Sequence, residues 1–221
     1  MTLEELIQRC RVESNDTKEP YFIQDEQYKA WLNDALIEAC IRGRLLYEKD
    51  DYDLCYVLFN AGQSVAKLNS QWVEIEQVAL VIGQSHFLAL PILSPEKVIE
   101  QYGENYQSHD NLPVCAVQEE NGLRLFPTPK QALTVKVQGY RLAMPLNELD
   151  DTPEIHATHH RHLVDYALMK AFSVPDAELF DQNRAMLAEK AFNDYFGLPK
   201  DSDFRRLTRE DRPHTVKPFW V

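Results

Sequence analysis

The chain is poor in the features that mark most enzymes and membrane proteins. Among 221 residues there are seven glycines. Neither Gly-x-Gly-x-x-Gly nor Gly-x-x-x-x-Gly-Lys occurs, so no phosphate cradle is encoded locally. Gly-x-Ser-x-Gly is also missing, which removes the nucleophile elbow. The longest apolar run, Phe87 to Leu93, falls far short of a membrane span. Met1-Thr2-Leu3-Glu4-Glu5 is acidic and reads as no signal peptide. Four cysteines (Cys10, Cys40, Cys55, Cys115) contain no Cys-x-x-Cys and read as reduced, mostly buried thiols, not a zinc site or disulfide framework. Positive charge is scarce too: 23 Lys and Arg against 35 Asp and Glu leave −12. Duplex DNA binding needs a basic footprint, which this composition does not supply.

What is present is an ordinary globular composition, 44% hydrophobic and 26% charged. Thr2-Leu3-Glu4-Glu5 is a capping box ahead of Leu3, Leu6, Ile7 and Cys10 at helical spacing. Asp25 is placed to cap a second helix carrying Tyr28, Trp31, Leu32, Ala35 and Ala39. The texture then turns to strands. Leu54–Asn60 and Ser64–Leu68 flank Ala61-Gly62-Gln63, which reads as a hairpin connection. Val73 to Ile82 and His86 to Leu90 follow as strands. Ser94-Pro95-Glu96 starts a short helix that stops near Gly103. Val114–Gln118, Leu123–Phe126 and Leu133–Tyr140 complete about seven strands. After an acidic connector, Pro145 to Pro153, helix periodicity returns. Leu163, Val164, Ala167, Leu168 and Ala171 form one stripe, and Phe180, Leu187, Ala191, Phe192 and Tyr195 another.

Helices bracketing strands imply an α+β fold and not alternating βαβ units. The expected organisation is a helical bundle from 1–50 and 151–197, an antiparallel β-rich insertion over 51–150, and an extended C-terminal arm over 198–221. The flanking helices must meet, because neither pair alone buries its stripe.

Candidate chemistry concentrates in four places. His156 and His160 share a helical face (i, i+4), as do His159 and His162, and imidazole pairs can ligate zinc or nickel with Asp165 near. A polar helix start packed against a neighbour or subunit is the plainer explanation of them. Asp50-Asp51-Tyr52-Asp53 could hold a hard cation, although it lacks the spacing and glycine of an EF-hand loop. Arg42-Gly43-Arg44 could touch phosphate or serve the helix dipole. Leu198 to Val221 carries six basic and four acidic residues, which leaves −14 on the preceding chain. Its Phe204, Phe219 and Trp220 suit anchors and its Arg205, Arg206, Arg209 and Arg212 suit pairing with carboxylates. A frayed terminus and packing on the chain's own acidic body are the alternatives.

Several segments together resemble a known family. Trp31-Leu32-Asn33-Asp34-Ala35 with Glu38 to Leu46 is similar to the second helix of tailed-bacteriophage head–tail adaptor (connector) proteins. Ala61-Gly62-Gln63, Leu123 to Pro129, His162 to Leu168 and the closing helix Asp181 to Gly197 resemble further parts in order. The resemblance implies a non-enzymatic virion structural protein at the head–tail interface, made in the host cytoplasm. It implies a ring, typically of about twelve copies, under the portal. The C-terminal arm would dock on the portal, other surfaces would recruit tail or nozzle proteins, and DNA would only pass through the channel. No cofactor, metal or membrane is expected. The runner-up is a metal-dependent enzyme or sensor using His156 and His160.

Overall fold

The computed structural model describes residues 1–83, 86–103, 112–119, 122–175 and 178–199. The fold is α+β, six helices and eight strands among these residues, in two compact units. One comprises 1–47 and 141–199; the other comprises 48–140.

The first unit is a bundle of four helices. α1 (Leu3–Ser14) starts on the expected capping box: Glu5 N–H donates to Thr2 Oγ1 at 3.3 Å and Thr2 N–H to Glu5 Oε2 at 3.1 Å. It stops where Asn15 turns left-handed at φ 66°, a conformation its short polar side chain tolerates. α2 (Asp25–Gly43) is capped by Gln24, not Asp25. Gln24 N–H donates to Gln27 Oε1 at 3.1 Å, and Asp25 is drawn instead into an ion pair with Arg11. α5 (Ala157–Phe172) and α6 (Gln182–Phe196) complete the bundle, with Asp181 accepting from Asn183 N–H and Arg184 N–H.

The bundle core is contiguous. Leu3, Leu6, Ile7 and Cys10 from α1 and Tyr28, Leu32, Ala35, Leu36 and Ala39 from α2 pack with Leu163, Val164, Ala167, Leu168 and Ala171 from α5. On α6 the expected stripe is off by part of a turn. Ala185, Phe192 and Phe196 are inside, whereas Phe180, Leu187 and Tyr195 are 54%, 68% and 42% exposed. Packing Phe192 on Tyr166 of α5, centroids 5.1 Å apart, sets the rotation of the helix. Residues 142–156, ahead of α5, are tied to the bundle. Leu149 and Asp151 carbonyls accept the first free N–H groups of α1, from Glu4 at 2.9 Å and Leu3 at 2.8 Å. Asn33 on α2 makes a two-way amide pair with the Leu146 backbone, 3.0 and 2.8 Å.

The second unit holds two sheets. In one, β1 (Tyr47–Glu48), β8 (Leu133–Arg141), β4 (Trp72–Ile82) and β5 (His86–Leu90) lie in that order, with β2 (Tyr56–Phe59) also pairing with β8. In the other the order is β3 (Val65–Lys67), β7 (Gly122–Phe126), β6 (Cys115–Gln118). Phe59, Leu80, Leu90, Leu123, Leu125, Val135 and Val137 belong to one buried cluster contributed by both. α4 (Pro95–Tyr102), capped by Ser94 as expected, lays Val98 on Cys115, Val117 and Phe126.

Two local expectations fail here. The residues before Tyr56 are not strand: Tyr52–Cys55 is a helical turn, α3, capped by Asp51, which accepts from Leu54 N–H at 2.9 Å. Ala61-Gly62-Gln63 is not a hairpin turn. β2 pairs with β8 and β3 with β7, so this turn carries the chain from one sheet to the other. Gly62, at φ 79°, donates its N–H to Pro129 O at 2.8 Å, which fastens the turn to a distant loop.

Candidate functional site

The histidines fold into the start and middle of α5, and their ring nitrogens face different partners. His156 is the N-cap, its Nδ1 2.9 Å from Thr158 Oγ1. His160 is buried, with Nδ1 2.9 Å from the Met1 amino group and Nε2 2.9 Å from the Ile155 carbonyl oxygen. The ammonium donates to Nδ1, so the Nε2 proton goes to Ile155. His159 Nδ1 lies 3.1 Å from the Tyr195 hydroxyl. His162 stacks on the Tyr195 ring at 3.5 Å and 15°, with Nδ1 3.3 Å from Asp165 Oδ2. Burial first, then neighbouring His156, His162 and His160, hold the His159 pKa below its ordinary value. Burial lifts the Asp165 carboxyl, against the pull of His162.

His156 and His160 do not converge on a common point. One caps the helix and the other is turned into the core. No group of three His, Cys, Asp or Glu side chains among the described residues could hold a metal ion. His159 and His162 form an aromatic seam with Tyr195 and Phe196, joining α5 to α6.

The other sequence candidates are also structural. Arg42 spans α2 and α6: Nε meets Glu38 Oε2 at 2.8 Å, Nη1 meets Asn193 Oδ1 at 2.7 Å and the Gly197 carbonyl at 3.2 Å, and the guanidinium lies 5.0 Å from the Phe192 ring centroid. A side chain used this fully is a clamp and not a phosphate reader. In the acidic loop, Glu48 Oε1 accepts from the N–H groups of Lys49, Asp50 and Asp51, while Asp51 caps α3. These carboxylates shape a turn. Trp31 meets Tyr28 edge-on at 5.8 Å, and Trp72 donates its Nε1–H to Leu54 O at 3.1 Å.

All four cysteines are buried and unpaired. Burial pushes the Cys55 and Cys115 thiols up to about 11 and raises Cys10 and Cys40 as well. The thiolate is the reactive form, so these are packing groups.

One polar centre had no sequence signal. Arg11 is buried on α1 and pairs with Asp16 at 3.3 Å and with Asp25. Asp16 also accepts from Phe22 N–H and Ile23 N–H, both at 3.1 Å. The guanidinium lies 3.5 Å from the Tyr21 ring centroid. Ser14 Oγ sits 3.1 Å from the Tyr28 hydroxyl, whose pKa burial raises to about 12. The cluster fixes the α1–α2 loop.

The arm residues Phe204, Arg205, Arg206, Arg209, Arg212, Phe219 and Trp220 lie outside the described residues. What the described surface offers is contact area. Met186 and Leu187 on α6 are 54% and 68% exposed. Ile82, Phe87 and Leu88 on the β4–β5 hairpin are 51%, 51% and 47% exposed, and Leu58 on β2 is 61% exposed. No helix among the described residues is long and apolar enough to cross a membrane.

An α+β chain with apolar patches on its described surface, and with its α5 histidines, arginine clamp and thiols engaged within the fold, has the make-up of a protein that works by contact. The family comparison gives that class its particular form. The family model described as SU10 adaptor protein matches residues 1–217, and the chain belongs to that family of phage head–tail adaptors, with a structural role in the virion. No curated protein matches the sequence.

Proposed function

We propose that the chain is a non-enzymatic head–tail adaptor that assembles as a ring, about twelve copies, under the portal of the filled capsid. The ring joins capsid to tail and leaves a channel through which DNA passes. Residues 198–221 form the arm that docks on the portal, with Phe204, Phe219 and Trp220 as anchors and Arg205, Arg206, Arg209 and Arg212 pairing with carboxylates. Other surfaces take the tail or nozzle protein. The virion neck is its working place, after synthesis in the host cytoplasm.

The observation that carries this reading is the family match over 1–217, nearly the whole chain. Charge supports it: a −12 subunit repels the polyanion it surrounds, which suits a conduit better than a DNA-binding role. An arm repeated around a ring gains avidity, so modest arms suffice.

The test is electron microscopy of purified portal mixed with this protein, native and truncated after residue 197. The reading expects a ring of density on portal with the native chain and none with the truncated one. Bare portals with the native chain, or equal decoration by both, would overturn it.

A further inference from the structure

The two longest stretches of this sequence without Asp, Glu, Lys or Arg are 77–95, nineteen residues, and 54–66, thirteen residues. They contain β5 and β2, the strands at opposite edges of one sheet. β5 pairs with β4 on one side and, among the described residues, with no strand on the other. His86 to Ala89 are all exposed, so neither face of this strand is covered.

Sheet edges of soluble proteins are normally blunted by charges, proline or bulges. The β5 sequence, His-Phe-Leu-Ala-Leu, has none of these before Pro91. β2, Tyr-Val-Leu-Phe, has none either. The outward face between them is continuous. Lys136 Nζ on β8 lies 5.6 Å from the ring centroids of both Tyr56 and Phe87, which puts the two rings on one face. Leu58, two residues beyond Tyr56, shares that face.

We infer that β5 of one copy adds to the β2 edge of the next, continuing the sheet from subunit to subunit around the ring. This rests on the ring reading above. Electrostatics selects a second copy as the occupant. Two chains at −12 repel wherever their carboxylates face, and β5 and β2 themselves carry none, so pairing these strands brings no carboxylate into the paired residues. The contact is heterologous, because the edges differ, and a heterologous contact whose rotation closes gives a ring. Main-chain hydrogen bonds supply the pairing, and Phe87 and Leu58 supply apolar contact.

The test uses the full chain assembled on portal. The native thiols are buried, so cysteines introduced at the surface react selectively. Leu58→Cys with Phe87→Cys, treated with a short bis-maleimide after assembly, is expected to give a ladder of covalent multimers; either single variant gives no ladder. A second variant, Phe87→Lys, places a charge on the exposed edge. It is expected to keep the native circular dichroism and melting temperature while losing copy-to-copy association. Copies present on portal with no ladder overturn the inference and leave the adaptor reading standing. Cross-links to a tail protein in place of a second copy overturn the choice of occupant. Native chain missing from portal removes the ring reading itself, and this inference with it.

Discussion

Arg11 brings a charge into the bundle, where Asp16 pairs with it. Its guanidinium is buried, and so is the Asp16 carboxylate opposite. Arg11→Ala leaves that buried carboxylate with backbone N–H partners and no counter-charge, and breaking a buried pair from one side costs about 3–5 kcal/mol. Urea unfolding of the variant should show this as a fall in midpoint with unchanged slope. No sequence pattern announces the cluster. Its partners sit five and fourteen residues away, in a loop and at the next helix start, outside the i+3 and i+4 spacings that reveal helical ion pairs. The thiols were legible: spacing without Cys-x-x-Cys implied packing roles, and all four are buried. Native protein should leave a maleimide or aromatic disulfide reagent unreacted until denaturant unfolds it. His159 adds a pH dependence. Its folded pKa lies below the ordinary 6.5, so the unfolded chain binds more protons as pH falls through and below that value. The stability tied to neutral His159 is therefore full above 6.5 and lost as pH drops toward the folded pKa. Melting temperature should fall between pH 7.5 and 5.5, and His159→Asn should flatten that part of the profile.

At the scale of the element, caps and stops were the most readable features. Thr2, Ser94 and Gly103 act where their chemistry places them, because each acts within one turn of its own position. Asp25 yielded the cap to Gln24 because a distant arginine competes for it, which local spacing cannot register. The stripe on α6 was misplaced for a related reason. Periodicity finds a set of apolar residues, but the contact of Phe192 with Tyr166 decides which of two adjacent faces goes inside. Strand existence was readable and strand partnership was not. Ala61-Gly62-Gln63 has hairpin composition, yet its flanking strands join different sheets. The β4–β8 contact depends on Gly139. A Cβ there would lie 2.0 Å from the Glu74 carbonyl oxygen and 2.9 Å from the Ile75 Cα, both backbone atoms. Gly139→Ala therefore forces two strands apart. The expected loss is at the upper end of the ~1–3 kcal/mol of ordinary overpacking, read by thermal or denaturant unfolding.

For the whole molecule, the ordering of helices around strands sufficed to give an α+β chain. Helices from both ends of the chain share one core, as stripes too narrow to be buried alone require. The candidate site was less readable. The histidine cluster attracted a metal reading because sequence shows spacing but not the direction of each ring, and those directions diverge. That the two uncharged stretches 54–66 and 77–95 belong to one sheet is a fact of topology, which composition does not carry. The adaptor account makes assembly the property of the intact particle. Its most direct measurement is a count of copies around the portal in images of portal incubated with the native chain. The account predicts a closed ring of about twelve, with sheets touching at their edges. Portals that stay bare, or that carry isolated subunits without lateral contact, would contradict it.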